Sequence, residues 1–77
     1  MPIEVKESIN KIVKAALGPH WRAGQLSKDV YSDINRDVSR KMYEVIGDEY
    51  ANIERDRHAW ERMAAHEVSS AVRALRA

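Results

Sequence analysis

An all-α fold, a small three-helix bundle, is predicted for this 77-residue chain by three observations. Apolar residues recur at three- and four-residue steps in three separate segments, and no segment shows the alternation typical of a strand. Glycine and proline lie between these segments, at Gly18-Pro19, Gly24 and Gly47. No internal repeat or low-complexity tract appears. Residues 1–77 are therefore predicted to form a single domain, and chain ends close to the outer helices suggest a module cut from a larger protein.

The first helix is predicted over residues 3–17. One helical stripe carries its apolar residues, which are Val5, Ile9, Ile12, Val13 and Ala16. Gly18-Pro19 is expected to end it, because glycine accepts a left-handed C-cap and proline cannot continue the hydrogen-bond ladder. The joint that follows, residues 20–26, is expected to be ordered, since Trp21 and Leu26 would otherwise expose large apolar areas.

The second helix is predicted over residues 28–46, with Ser27 as its N-cap and Gly47 as its end. Its apolar row, at four-residue steps, consists of Val30, Ile34, Val38 and Met42, with Val45 nearby. Arg36 and Arg40 are one turn apart and point away from this row. The segment can thus contribute to a core and bind an anion at once.

The third helix is predicted over residues 56–76. Residues 48–53 before it are interpreted as a turn, with the alternative that Tyr50 and Ile53 already belong to the start of this helix. The third helix is expected to be the longest buried helix of the bundle. The predicted core contains residues from all three helices: Ile9, Val13, Leu17, Ile34, Val38, Trp60, Ala64, Val68 and Leu75.

Composition excludes several classes of function. Thirteen basic and twelve acidic residues leave a net charge of +1, so no extended positive field attracts nucleic acid. The chain has no cysteine, hence no disulfide framework, and no apolar run near the ~20 residues that span a bilayer. We therefore expect a monomer in a reducing compartment, with neither nucleic acid nor membrane as a partner.

Catalytic, metal and cofactor chemistry is not indicated. His58 and His66 are eight residues apart and His20 is in a separate joint, so the histidines lack metal-ligand spacing. Ser27 is better explained as a cap than as a nucleophile. The carboxylate pairs Asp48/Glu49 and Glu54/Asp56 lie beside arginines, which favours a solvated turn over an acid/base pair. The domain is expected not to be an enzyme.

Five residues remain as candidates for a binding site, namely Lys11, Lys14, Tyr31, Arg36 and Arg40. One alternative is a solvated face whose lysines and arginines pair with Glu7, Asp33 and Asp37. The other is a cationic furrow between adjacent helices, where guanidinium groups bind phosphate oxygens and an aromatic ring holds an apolar group. The second requires the first two helices to lie side by side.

The order of features over most of residues 5–46 resembles the SRI domain. An aliphatic helix ends in Leu17-Gly-Pro19, a short joint follows, and Leu26-Ser-Lys-Asp-Val-Tyr31 opens the next helix. That family is a three-helix module, found in a histone lysine methyltransferase and in PHD/RING-finger proteins. It docks on the phosphorylated C-terminal repeat tail of the largest RNA polymerase II subunit, so the resemblance implies a nuclear recruiting module.

The resemblance also implies site residues. The family contacts the tail with an aromatic residue and with basic residues five and nine positions later, which correspond here to Tyr31, Arg36 and Arg40. Lys14 stands where the methyltransferase version is apolar, and a lysine there suits a phosphoserine; Lys11 is a further candidate. The implied ligand is a repeat containing tyrosine, serine and proline, with phosphates on serine.

From Met42 to Trp60 and onward the chain also resembles, more weakly, the KIX domain, a three-helix module that binds amphipathic helices of transcription activation domains. This alternative predicts an apolar groove, whereas the SRI resemblance predicts a basic groove with one or two aromatic residues. A three-helix DNA reader or a purely structural domain would be further alternatives, of which the near-neutral charge disfavours the first.

Overall fold

The protein folds as three α-helices: α1 (Ile3–Arg22), α2 (Lys28–Ile46) and α3 (Arg57–Arg76). The computed structural model describes residues 1–47 and 53–76, and this part of the chain contains no strand. Each helix packs against both of the others. The predicted all-α three-helix bundle is confirmed.

Helix α1 is longer than predicted. It continues through Gly18-Pro19 and ends at Arg22, five residues beyond the predicted end at Leu17. Pro19 removes the hydrogen bond that an N–H there would make to Ala15, and its ring crowds the same carbonyl. The residue before a proline normally avoids helical angles partly because its Cβ meets the ring, and Gly18 has no Cβ. The Gly-Pro pair is therefore tolerated inside the last turns.

The end of α1 is a Schellman motif centred on Gly24. The N–H of Gly24 donates to the carbonyl of Trp21 at 3.0 Å, and the N–H of Gln25 donates to that of His20 at 3.1 Å. Gly24 has φ +71°, the left-handed angle that this motif needs. The side chains of His20 and Gln25 add a hydrogen bond of 2.7 Å between Nδ1 and Oε1. The second glycine, rather than the first, ends the helix.

Replacing Gly24 with alanine is expected to destabilise the fold by about 1 kcal/mol, since an L-residue at a positive φ is strained. No atom lies within 4 Å of the added Cβ, so the cost is confined to the backbone. Urea denaturation measures it. Gly24→Asn is the matched control and should lose less, because asparagine accepts this conformation more readily. Equal stability of Gly24→Ala and the parent would contradict the assignment of the cap.

Helix α2 has the predicted bounds. The Ser27 Oγ accepts a hydrogen bond of 3.2 Å from the N–H of Val30, so the predicted N-cap is confirmed. At the other end Gly47, with φ +50°, donates its N–H to the carbonyl of Tyr43.

Helix α3 begins at Arg57, one residue after the predicted start. Residues 53–56 form turns, and Ile53 is buried against the core. The rest of the predicted turn, together with the Asp48/Glu49 pair, lies outside the described residues.

The core agrees with most of the prediction. Seven of the nine predicted residues are buried, and they are Ile9, Val13, Leu17, Ile34, Val38, Ala64 and Val68. Trp60 is half-buried and packs against the core. Leu75 was wrongly predicted: it is 54 % exposed, because it lies in the last turn of α3.

Six further buried apolar residues were not in the predicted core: Ile12, Leu26, Met42, Ile46, Ile53 and Val72. Leu26 is buried, which confirms that the joint is packed. The prediction that Trp21 would also be covered is wrong, because its side chain is 46 % exposed. Since α1 continues to Arg22, Trp21 belongs to the helix rather than to the joint. Val45 is exposed as well. None of the three helices is long and apolar enough to cross a membrane.

Candidate functional site

Helices α1 and α2 lie side by side and antiparallel, and two contacts mark the ends of the line along which they meet. At one end the rings of Trp21 and Tyr31 pack edge to face, with centroids 5.2 Å apart. At the other the Tyr43 hydroxyl donates to Asn10 Oδ1 at 3.1 Å, and Lys6 Nζ lies 5.7 Å from the Tyr43 ring centroid. We call this line the α1–α2 seam.

The seam is defined by two rows of residues. On α2 the row proceeds in four-residue steps from Tyr31 to Tyr43, both of which contact α1: Tyr31, Asn35, Ser39 and Tyr43. On α1 the row consists of three residues that share one edge of the helix by their spacing: Asn10, Lys14 and Trp21. The two end contacts set the register, so Lys14 lies at the level of Ser39.

The middle of the seam is polar. Ser39 is only 4 % exposed, and its Oγ donates to Asn35 Oδ1 at 3.2 Å. Because this buried hydroxyl has a partner, the hydrogen bond offsets much of the cost of removing it from water. The seam thus lacks the continuous apolar floor that would receive the apolar face of a helix.

The predicted cations divide into two sets relative to the seam. Lys14 shares an edge of α1 with Asn10 and Trp21, and Arg36 lies seven residues before Tyr43 on the matching edge of α2, so these two flank the seam. Lys11 and Arg40 are both exposed and lie on the outward faces of their helices. By this placement Lys14 and Arg36 are the candidate cations beside the seam, while Lys11 and Arg40 border it farther out; their convergence on one furrow stays a prediction.

Arg36 is already engaged with carboxylates. Its Nη2 lies 3.5 Å from Asp33 and its Nε lies 3.3 Å from Asp37. All three side chains are more than half exposed, so these pairs are weak and easily exchanged for a better anion. The predicted pairing of the arginines with neighbouring aspartates is confirmed at Arg36.

The other three candidate cations differ from Arg36. Among residues 1–47 and 53–76, no carboxylate lies within 4 Å of the charged groups of Lys11, Lys14 or Arg40, and the alternative pair of Glu7 with Lys11 does not form. These exposed groups can bind an external anion without first breaking an ion pair.

Tyr31, the predicted aromatic contact, is half-buried and packs against the core. Trp21 beside it was not one of the five candidate site residues, because the expected end of the helix at Gly18-Pro19 placed it in a joint, where it would at most form part of a groove wall. Its signal in the sequence was the spacing of seven residues from Lys14, which becomes meaningful only once α1 is known to continue.

The site is an open surface rather than a cleft. No enclosed pocket exists in the described part of the chain. Such a surface, with cations at its rims and an aromatic pair at one end, suits an extended anionic peptide.

The histidines are accounted for separately. His20 bonds to Gln25, and His58, fully exposed, lies 3.8 Å from Glu61. In the described residues no three histidine or carboxylate side chains are close enough to hold a metal ion.

Fold and surface together define a small helical domain with no enzymatic signature in its described residues. In comparison with known proteins, the chain is 33 % identical over 51 residues to a PHD and RING finger domain-containing protein of Schizosaccharomyces pombe. The match covers 66 % of this chain and 9 % of that protein, so the chain corresponds to a small part of its relative. No family model matches the chain. No solved structure matches it either.

Proposed function

We propose that this chain is an SRI-type docking module, which binds the phosphorylated C-terminal repeat tail of the largest RNA polymerase II subunit and recruits its parent protein to transcribing polymerase. It acts in the nucleus as a monomer, needs no cofactor and is not itself an enzyme. Lys11, Lys14, Arg36 and Arg40 meet the phosphates, and Tyr31 supports the apolar contact.

The observation that carries this proposal is the charge arrangement around the α1–α2 seam. Lys14 and Arg36 flank the seam, and Lys11 and Arg40 border it on exposed faces. A phosphoserine brings about −1.5 to −2 charges at neutral pH and three acceptor oxygens, which match such donors. Because the described part of the site is open, the ligand would be an extended segment that orders on binding.

The sequence relative supports the same proposal from another direction. The relative is a PHD and RING finger domain-containing protein, and PHD/RING-finger proteins are among those in which the resembling module occurs. A parent protein of that kind, which could be a ubiquitin ligase, would use this domain to reach its place of action.

The direct test is a parallel titration of the domain with a synthetic two-repeat tail peptide, either phosphorylated on serine or unmodified. We expect the phosphorylated peptide to bind at least about tenfold more tightly, as a charge-assisted hydrogen bond or two would provide. Its affinity should fall as salt is raised, because exposed charges are screened. Isothermal titration calorimetry measures both effects, and equal affinities for the two peptides would refute the proposal.

The same titration separates the KIX-like alternative, in which an amphipathic activation-domain helix binds an apolar groove. Salt would then hardly weaken binding, since apolar burial is not screened. The satisfied polar pair of Ser39 and Asn35 disfavours the α1–α2 seam as such a groove.

A further inference from the structure

We infer that Trp21 and Tyr31 form a proline-binding ledge at one end of the α1–α2 seam. The ledge holds a proline two or three residues away from the phosphoserine that Arg36 binds. This inference rests on the proposed function and adds to it a second contact, a residue outside the predicted set, and a spacing rule for the ligand.

The ledge is built from one supported ring and one exposed ring. Tyr31 packs on the core, whereas Trp21 is 46 % exposed and keeps its ring edge to face with Tyr31 at a centroid distance of 5.2 Å. Because the planes of the two rings meet at 68°, the exposed indole and the second ring form an angled apolar surface. Aromatic surfaces of this kind receive proline rings in polyproline recognition.

The position of Trp21 is fixed by the end of α1. The carbonyl of Trp21 accepts from Gly24, and the preceding His20 is tied to Gln25 through both its carbonyl and its ring. These bonds hold the last turn of α1 in place. The indole therefore needs little further ordering when a ligand arrives, which favours binding.

The spacing of the ligand follows from the helix. Tyr31 and Arg36 are five residues apart, about 7.5 Å along the axis of α2 and about 140° around it. A ligand that lies along the seam therefore spans the axial part, and the long Arg36 side chain has to reach it from the flank. An extended polyproline II peptide rises about 3.1 Å per residue, so two to three residues span that distance. A phosphoserine at Arg36 thus places the proline over the ledge only when the two residues are separated by that interval.

Charge complementarity identifies the occupant as an anionic peptide. Lys14 and Arg36 flank the seam beside the ledge, and Lys14 has no carboxylate within 4 Å among the described residues. A proline-containing segment with a phosphate therefore fits both the apolar and the charged part of the surface. A neutral proline-rich peptide would satisfy only the ledge.

The experiment is a double-mutant cycle on phosphorylated tail peptides that keep a single proline, with the other prolines replaced by alanine. Calorimetry measures four affinities, those of the parent domain and of Trp21→Ala for each of two peptides. One peptide has its proline two or three residues from the phosphoserine, and the other has alanine at that position. We expect removal of the proline to weaken binding to the parent about fivefold, the scale of one aromatic contact. In Trp21→Ala the same removal should change the affinity less than about twofold.

Two controls keep the cycle interpretable. Trp21→Phe retains a ring and should recover most of the proline effect, and thermal unfolding shows whether each variant is folded. In a third peptide the proline is moved next to the phosphoserine, and it should bind no better than the peptide without proline.

The outcomes distinguish the ledge from the proposed function. One outcome is that the parent prefers the phosphorylated peptide, while removal of the proline lowers the affinity of the parent and of Trp21→Ala by the same factor. In that case the ledge is wrong and the phosphate site stands. If the parent shows no phosphate preference at all, the proposed function fails and the ledge with it.

Discussion

Replacement of both Arg36 and Arg40 with alanine is expected to weaken binding of the phosphorylated tail peptide about tenfold to a hundredfold. Each guanidinium supplies charge-assisted hydrogen bonds to phosphate oxygens, and the expected loss corresponds to about 1.4 to 2.7 kcal/mol for the pair. The effect is at the low end for two such contacts because Arg36 is exposed and has to give up its pairs with Asp33 and Asp37. The unmodified peptide should bind the variant and the parent almost equally. Calorimetry with both peptides measures the difference.

The matched control is the double change Arg62→Ala, Arg73→Ala, which removes the same charge from exposed positions on α3. Arginine and alanine have similar helix propensities, so neither double variant should unfold. If the two variants lose equal affinity, the effect comes from net charge alone and no specific site exists on α2. An unchanged affinity of the Arg36/Arg40 variant would favour the activation-domain alternative.

Replacement of Leu17 with alanine is expected to remove about 2 to 5 kcal/mol from the free energy of unfolding, since this side chain is fully buried and its loss leaves a cavity. A domain of this length is expected to have a total of only roughly 4 to 12 kcal/mol. The variant should therefore be close to unfolding at moderate temperature. Urea denaturation should show a lower midpoint with an unchanged slope.

Leu75→Ala is the control, because it deletes the same atoms at a position that is 54 % exposed. We expect it to cost less than about 1 kcal/mol. Similar losses for Leu17→Ala and Leu75→Ala would mean that the end of α3 is covered in solution, contrary to the structure.

Local patterns were sufficient for most of the fold. The apolar spacing predicted three helices, and the Ser27 cap and Gly47 predicted both bounds of α2, because a cap acts through hydrogen bonds within a few residues of itself. Buried positions such as Ile9, Val38 and Val68 followed from the same periodicity. The candidate cations were likewise visible in the sequence, since two arginines one turn apart must share a helix face.

The end of α1 shows where local rules compete. Both Gly18-Pro19 and Gly24 are stop signals, and the sequence does not show which of them prevails. Continuation to Arg22 costs one hydrogen bond at Pro19 and gains those of the cap at Gly24. That outcome moved Trp21 from a joint to the edge of a helix.

By itself, then, the sequence determined the helical class of this protein, the bounds of its second helix and the presence of cations on two helices, because all of these depend on short-range spacing. Only the tertiary structure decided which cations flank a common line, that Ser39 and Asn35 occupy its middle, and that Trp21 stands beside Tyr31. The contact of Trp21 with Tyr31 joins two helices, and the burial of Ser39 depends on how much of its surface the packed helices cover. The antiparallel register of α1 and α2, which the periodicity of a single helix does not contain, is their physical origin.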